Sequence, residues 1–243
     1  MKPYLITLAI SLAAGCLMAA DATPKDDLIA AAKKLGDKPN YSWKSNVEAG
    51  GNNRFGAGPT EGKTEKGGFS FVAITRGDNT IEAAIKDGKA AVKIQDGWQS
   101  SSELAEAANA GGAGGRNPAR MISRLVGSFK TPAVQAADLA GKVKELKKTD
   151  ETYSGDLTED AVKELLSFGP RGGGADAPAV TGAKGNAKFW VKEGMLTKYE
   201  FKVQGTVSFN GNDREVDRTT TVEVKDVGTT KVEIPEEAKK KAS

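Results

Sequence analysis

The chain has 243 residues, a formal charge of +3, a hydrophobic share of 38%, 29 glycines and 6% aromatics, which suits one large or two small turn-rich β domains with a modest core. It contains no histidine, and its one cysteine is Cys16, inside an N-terminal leader. After that leader the chain lacks the ligands for the usual zinc or haem site, the partners for a Ser-His or Cys-His nucleophile pair, and a disulfide, so no metal or cofactor is expected. Without Lys2 the charge is 34 cations against 32 anions, too even to argue for nucleic acid.

Lys2, an apolar run over residues 4–14 and the small residues after it have the layout of a secretory signal peptide. The run is too short to span a bilayer. Ala20-Asp21-Ala22 is the better A-x-A match for cleavage. The expected organisation is a signal peptide over residues 1–20 and a single domain over 21–243, periplasmic or secreted. An alternative reads Ala13-Ala14-Gly15-Cys16 as a lipoprotein box that leaves the protein anchored through a lipidated Cys16. Against it, Ala13 stands where such a box carries a large aliphatic.

Thr23-Pro24-Lys25-Asp26 predicts a helix start, with a Thr cap, Pro at the first position and Asp as capping-box partner. Leu28, Ala31, Ala32 and Leu35 form its apolar stripe and Gly36 its stop. Residues 41–47, with Tyr41, Trp43 and Val47 alternating, predict a strand. Residues 49–62 read as a glycine-rich loop. Short strands follow over 69–75, 80–86 and 89–94, with Asp87-Gly88 as a hairpin turn.

The middle of the chain switches to helical periods. Ser100 to Glu103 resembles a capping box before a helix over 104–109, and a loop over 111–115 follows. Asn117-Pro118 opens a second helix with Met121, Ile122, Leu125 and Val126 on one side. Thr131-Pro132 opens a third, reaching about Ala140. Two β segments are read over 143–147 and 152–157. Asp156 and Thr158 then compete to cap a helix carrying Ala161, Val162, Leu165 and Leu166. Residues 169–185 read as a second long loop.

The rest predicts strand. From Met195 to Phe209 one parity carries Met195, Thr197, Tyr199, Phe201, Val203, Gly205, Val207 and Phe209, and the other carries Leu196 and polar residues. A period of two puts these on opposite faces of a sheet. A ribbon of about 50 Å at ~3.3 Å per residue twists and curls to bury its apolar side. Gly205 is the natural place to bend. Residues 192–194 read as a three-residue loop with Gly194 left-handed, keeping Phe189 and Val191 on the face of Tyr199. At Asn210-Gly211-Asn212-Asp213 a two-residue turn and a four-residue loop both place Val216, Arg218, Thr220, Val222 and Val224 on the apolar face. Residues 231–234 read as a last short strand, and the charged tail to Ser243 as frayed.

The passages Phe189-Trp-Val-Lys-Glu-Gly-Met-Leu-Thr-Lys-Tyr-Glu200, Val207-Ser-Phe-Asn-Gly-Asn-Asp-Arg-Glu-Val216 and Val232-Glu-Ile-Pro-Glu236, behind a helix, a meander and a helical middle, resemble the periplasmic lipoprotein-carrier (LolA-like) family and its mycobacterial lipoprotein relatives. The resemblance implies an α+β half-barrel: a strongly curved antiparallel sheet with short helices on its concave face, around a cavity for acyl chains. It carries over no catalytic residue.

The candidate ligand-binding residues are Trp43, Phe189, Tyr199, Phe201, Val203, Val207 and Arg218. The apolar ones would line a lipid-sized pocket, or else form an ordinary core under the helices. Arg218, a charge on the apolar parity, would pair with an acid, snorkel to the rim or meet an anionic head group. Ala57 to Thr64 nearly matches a phosphate loop. Pro59 removes a donor, Glu61 repels phosphate and a strand follows, so no nucleotide is expected. Arg76-Gly77-Asp78 reads as a turn before it reads as an adhesion tripeptide. Lys239-Lys240-Lys241 is a solvated end whose functional reading is peripheral contact with an anionic membrane. The expected function is a non-enzymatic envelope protein binding or carrying a lipid or an acylated protein. The alternatives are an interaction or sensor module with a plugged interior, and a hydrolase using only Asp, Glu, Ser or Lys, which no spacing supports.

Overall fold

The computed structural model describes residues 22–50, 58–77, 79–94, 97–110, 118–167, 178–209 and 211–243; the leader, Cys16, Ala57 and Asp78 lie outside them. The chain opens with α1 (Pro24–Gly36), started by the expected capping box: the Asp26 amide donates to Thr23 Oγ1 and the Thr23 amide to Asp26 Oδ2, each at 3.2 Å. A first antiparallel meander follows: β1 (Asn40–Ala49), β2 (Thr60–Glu65), β3 (Ser70–Arg76), β4 (Asn79–Lys86), β5 (Lys89–Ile94) and β6 (Gly97–Ser100). Three helices come next, α2 (Ser101–Ala110), α3 (Pro118–Gly127) and α4 (Pro132–Lys142). The second meander is β7 (Lys147–Thr149), β8 (Thr152–Asp156), β9 (Ala179–Lys192), β10 (Met195–Phe209) and β11 (Asn212–Lys225), with α5 (Glu159–Leu166) between β8 and β9. The last element is α6 (Glu236–Lys241).

All described strands join one open, curved sheet of 11 strands, in the order β6-β5-β4-β3-β2-β1-β11-β10-β9-β8-β7. Each meander zips up locally, and the single long-range seam is the antiparallel pairing of β1 with β11. This is the α+β half-barrel. Its inner face is set by alternation. Tyr41 and Trp43 on β1, Val72 and Ile74 on β3, Tyr199, Phe201 and Val203 on β10, and Val222 on β11 are all buried together. On β11, Val203↔Arg218, Phe201↔Thr220 and Tyr199↔Val222 put the expected residues on that face.

Five helices lie against the inner face, but not all six. α6 packs on the outer face, where Ile234, Ala238 and Ala242 cover Ala84, Ala91 and Trp98. The neighbours Ala83 and Ala84 show the division: Ala83 belongs to the inner cluster and Ala84 to the outer one. The tail is therefore docked rather than frayed. Residues 231–234 form no strand, because their apolar positions are spent on α6's seat and not on a neighbouring strand.

Other expectations are corrected. The stretch read as loop over 49–62 already contains the start of β2, and the one over 169–185 the start of β9. Val143 makes only an isolated bridge to Leu157, and the strand there is β7. Thr158, not Asp156, caps α5, accepting from the Ala161 amide at 3.3 Å. The β9–β10 turn has two residues, with both Glu193 (φ 53°) and Gly194 (φ 69°) left-handed, the turn whose twist matches a hairpin. The phase is then restored by a bulge at Thr197, where the register jumps between Leu196 and Lys198 and the Thr197 hydroxyl donates to the Trp190 carbonyl at 3.2 Å. Leu196, read as solvent-facing, is consequently fully buried opposite Val191, while Tyr199 still meets Phe189.

Gly205 does mark a bend. Between Gln204 and Thr206 the pairing with β9 skips a residue, absorbed by Gly182 at φ 62°.

Candidate functional site

The inner helices form two groups with a gap between them. α1 and α5 rest on β9 and β10, with α4 beside α1 and above β9. α2 and α3 cover Ala83, Ala90 and Val92 on β4 and β5, using Leu104, Ile122 and Val126. Over the middle of the sheet the start of α4 reaches in from these groups. The link from α3 to α4 crosses it, and a cavity of about 180 Å³ remains beneath.

The floor of this cavity is the sheet. Trp43 and Ser45 come from β1, Thr60 from β2, Val72 and Ile74 from β3, Ala83 and Ile85 from β4, Tyr199 from β10 and Val222 from β11. Its roof is Val126, Ser128, Phe129 and Lys130 with Pro132 and Gln135 at the start of α4. Phe129 stacks over Trp43 at 6.1 Å between ring centroids. The Trp43 indole donates to Thr64 Oγ1 at 3.3 Å, and Ser70 donates to the same oxygen at 3.2 Å, so the ring is tethered at its polar edge.

One tyrosine, Tyr199, brings polarity into this apolar site, and a second, Tyr41, neighbours it. The Tyr199 hydroxyl, from a fully buried side chain, donates to Gln135 Oε1 at 2.5 Å. Burial, and next the neighbouring Tyr41, raise its pKa well above the ordinary phenol value. Burial also raises the pKa of Tyr41, whose hydroxyl faces Thr131, the Ala133 backbone and Thr64 without a well-formed hydrogen bond. Both rings thus stay neutral and act as hydrogen-bonding groups. Lys130 is the one charged side chain among the described lining residues, and it pairs with Asp138 on α4.

Of the candidate residues, Trp43 and Tyr199 line the cavity. Phe189, Phe201 and Val203 are buried in the same cluster as Leu28, Leu35 and Val162 of α1 and α5, with Phe189 stacked on Tyr199 at 6.3 Å. Val207 is half-buried at the far end of β10, beyond the cavity. Arg218 is also half-buried, and its Nη2 donates to the Leu165 carbonyl at 3.0 Å, near the end of α5. Burial lowers its pKa. Phe129 and Gln135 were missed. The Thr131-Pro132 helix start beside them was legible, but nothing local says that this start lands over β1.

In the near-match to a phosphate loop, Gly62 and Lys63 lie in mid-strand on β2, with no helix N-terminus following. Among the described residues no group of three or more His, Cys, Asp or Glu could hold a metal. No described helix is long and apolar enough to cross a membrane.

No family model matches the sequence, and no curated protein matches it. Among solved structures the chain is similar to LprF from Mycobacterium bovis, with 10% identity, a TM-score of 0.43, and 88% of this chain and 96% of that chain covered. It is also similar to the lipoprotein LppX from Mycobacterium tuberculosis, with 10% identity, a TM-score of 0.40, and 85% and 98% covered.

Proposed function

We propose that this is a non-enzymatic envelope protein that holds an acyl-type ligand, a lipid or an acylated partner, in the cavity under the α3–α4 link. The observation that carries the reading is the gap itself. The sheet presents Trp43, Val72, Ile74, Ile85 and Val222 to a space between the two helix groups, and a roof segment spans that space instead of filling it. A concave, mainly apolar wall with a few polar groups at one side is what small-molecule sites have in common. The described lining residues include no carboxylate, histidine or cysteine, which supports binding over turnover. The leader supports a location beyond the inner membrane.

Native mass spectrometry of protein purified from its own envelope, followed by solvent extraction, tests the proposal. A bound acyl species of defined mass is the expected result. Protein that is empty in every preparation would count against it.

One observation favours a second reading, an interaction or sensor module with its interior plugged. The cavity, at 180 Å³, is below the roughly 300–1,000 Å³ of most ligand pockets. A pull-down that captures a protein partner equally well with Trp43 intact and replaced would favour the module.

A further inference from the structure

We infer that the ligand of this cavity is a small single-chain carboxylate, its head held by the Gln135 amide and the Lys130 ammonium. This deepens the acyl-ligand reading and rests on it.

Size comes from the volume. An apolar cavity of roughly 150 Å³ accommodates one benzene, so the 180 Å³ here takes an apolar body on the order of six to eight non-hydrogen atoms. A sixteen-carbon chain would not be buried whole, and a diacyl lipid still less.

The head group comes from the polar side of the lining. Gln135 uses its carbonyl oxygen to accept from Tyr199 at 2.5 Å. Its amide N–H2 has no partner among the described residues, in a side chain that lines the cavity. It offers two donors and wants an acceptor. Lys130, beside it on the roof, is the only charge on the described lining, and no carboxylate lines the cavity. An ammonium has three donors, so Lys130 keeps Asp138 and still receives a second anion. The positive end of α4, an 11-residue helix whose first turn supplies Pro132 and Gln135, adds to the same preference.

The test is calorimetric titration of the folded protein with butanoate, hexanoate, octanoate and palmitate, each below its aggregation concentration. Affinity is expected to rise on the order of tenfold per two carbons up to hexanoate or octanoate, as each added CH2 is buried, and no further at palmitate. A rise continuing to palmitate overturns the size limit and leaves the broader acyl reading standing. No binding by any of the four overturns the carboxylate assignment, while the broader acyl reading falls only if the protein is also empty by native mass spectrometry.

Gln135→Glu keeps an acceptor for Tyr199 but replaces the N–H2 donors with a carboxylate oxygen. It should weaken octanoate at least tenfold and spare octan-1-ol, whose hydroxyl donates to the new group. Equal effects on both ligands, or no effect on either, overturn the head-group assignment. Ser45→Ile projects into the cavity without removing a hydrogen bond, and it remains a test if the first variant fails to fold. It should move the length limit to a shorter chain, and an unchanged limit overturns the cavity as the seat of binding.

Discussion

Trp43 lies flat on Gly62. The two are directly opposite in the β1–β2 register, and a Cβ built on Gly62 would sit 2.2 Å from both Cε2 and Cζ2 of the indole. Phe129 covers the other side of the ring. The missing side chain of Gly62 is thus the space that lets an indole form part of the cavity floor.

Gly62→Ala must displace that ring. Overpacking of this kind costs about 1–3 kcal/mol, and a displaced indole enters the cavity. Denaturant unfolding should show the loss in the wild-type background and much less of it in Trp43→Leu. A coupling of about 1 kcal/mol or more between the two sites is expected for residues in direct contact. Additive effects would mean that the ring can slide aside at no cost.

That contact also shows where the sequence was silent. The inner face of β2 presents Thr60, Gly62 and Thr64 and no large apolar residue, so it has no period-two signal and merges with the glycine-rich loop. The same holds for the start of β9, where Gly182, Ala183 and Gly185 give little apolar signal and Gly185 lies against Val162 of α5. By contrast, Tyr199, Phe201 and Val203 bury their own side chains and announce their strand. Leu196 was misread because a bulge is invisible to strict alternation. α6 was missed because only Ala238, Ala242 and Ile234 hold it, among lysines that look solvated. Most of each meander was therefore legible, with β2, β6 and the start of β9 missed, and so were the helix starts at Thr23, Ser100 and Thr131. In the site, the strand-borne Trp43 and Tyr199 could be read from local pattern, whereas Phe129, Lys130 and Gln135 reach it only through the tertiary path of the α3–α4 link.

Two glycines beneath α5 should respond unequally to the same change. A Cβ at Gly185 would meet the Lys202 carbonyl oxygen at 2.5 Å, a backbone atom fixed in the β9–β10 ladder. One at Gly205 would meet Leu166 Cδ1 at 2.8 Å, the end of a flexible side chain, with the Thr181 oxygen at 3.1 Å. Gly185→Ala should therefore lose more stability than Gly205→Ala, with the latter within about 1–3 kcal/mol. Leu166→Ala should relieve part of the Gly205→Ala cost and none of the Gly185→Ala cost. Thermal unfolding of the three single and two double variants measures the ranking, and its reversal would contradict the clash assignment.

Arg218 ties the sheet to α5. Its Nη2 donates to the Leu165 carbonyl, in the last turn where helix carbonyls lack intrahelical partners and cations are favoured. Arg218→Met keeps the apolar stem but removes the donor, and a charged hydrogen bond lost from a half-buried site costs about 1.5–3 kcal/mol. Amide exchange should quicken in α5 before it does in β10 and β11. Arg218→Lys restores the charge without the fork and should recover only part of the protection. Uniform acceleration across the sheet would mean that Arg218 matters for the core as a whole and not for the end of this helix.

Acid should undock α6 through a single carboxylate. Glu103 accepts from Lys241 Nζ at 2.5 Å and from the Ser100 amide at 2.7 Å, so it joins α6 to the capping box of α2. The Lys241 hydrogen bond, and next the Ser100 amide, lower its pKa from the ordinary 4.5 to about 2. The unfolded chain then holds this proton more tightly than the folded one. The stabilisation is complete above pH 4.5 and is lost as pH falls toward 2. The indole of Trp98, which α6 covers, should report this loss by NMR before the inner-face indole of Trp43 responds. Lys239 likewise lowers the pKa of Glu236 within α6, so that group is a second carboxylate whose pairing acid would weaken. The two are separable: Glu103→Gln should place the Trp98 signal in its low-pH state at neutral pH and flatten its titration, whereas Glu236→Gln should leave the transition in place. A transition that survives Glu103→Gln unchanged would assign acid sensitivity to some other contact of the outer face.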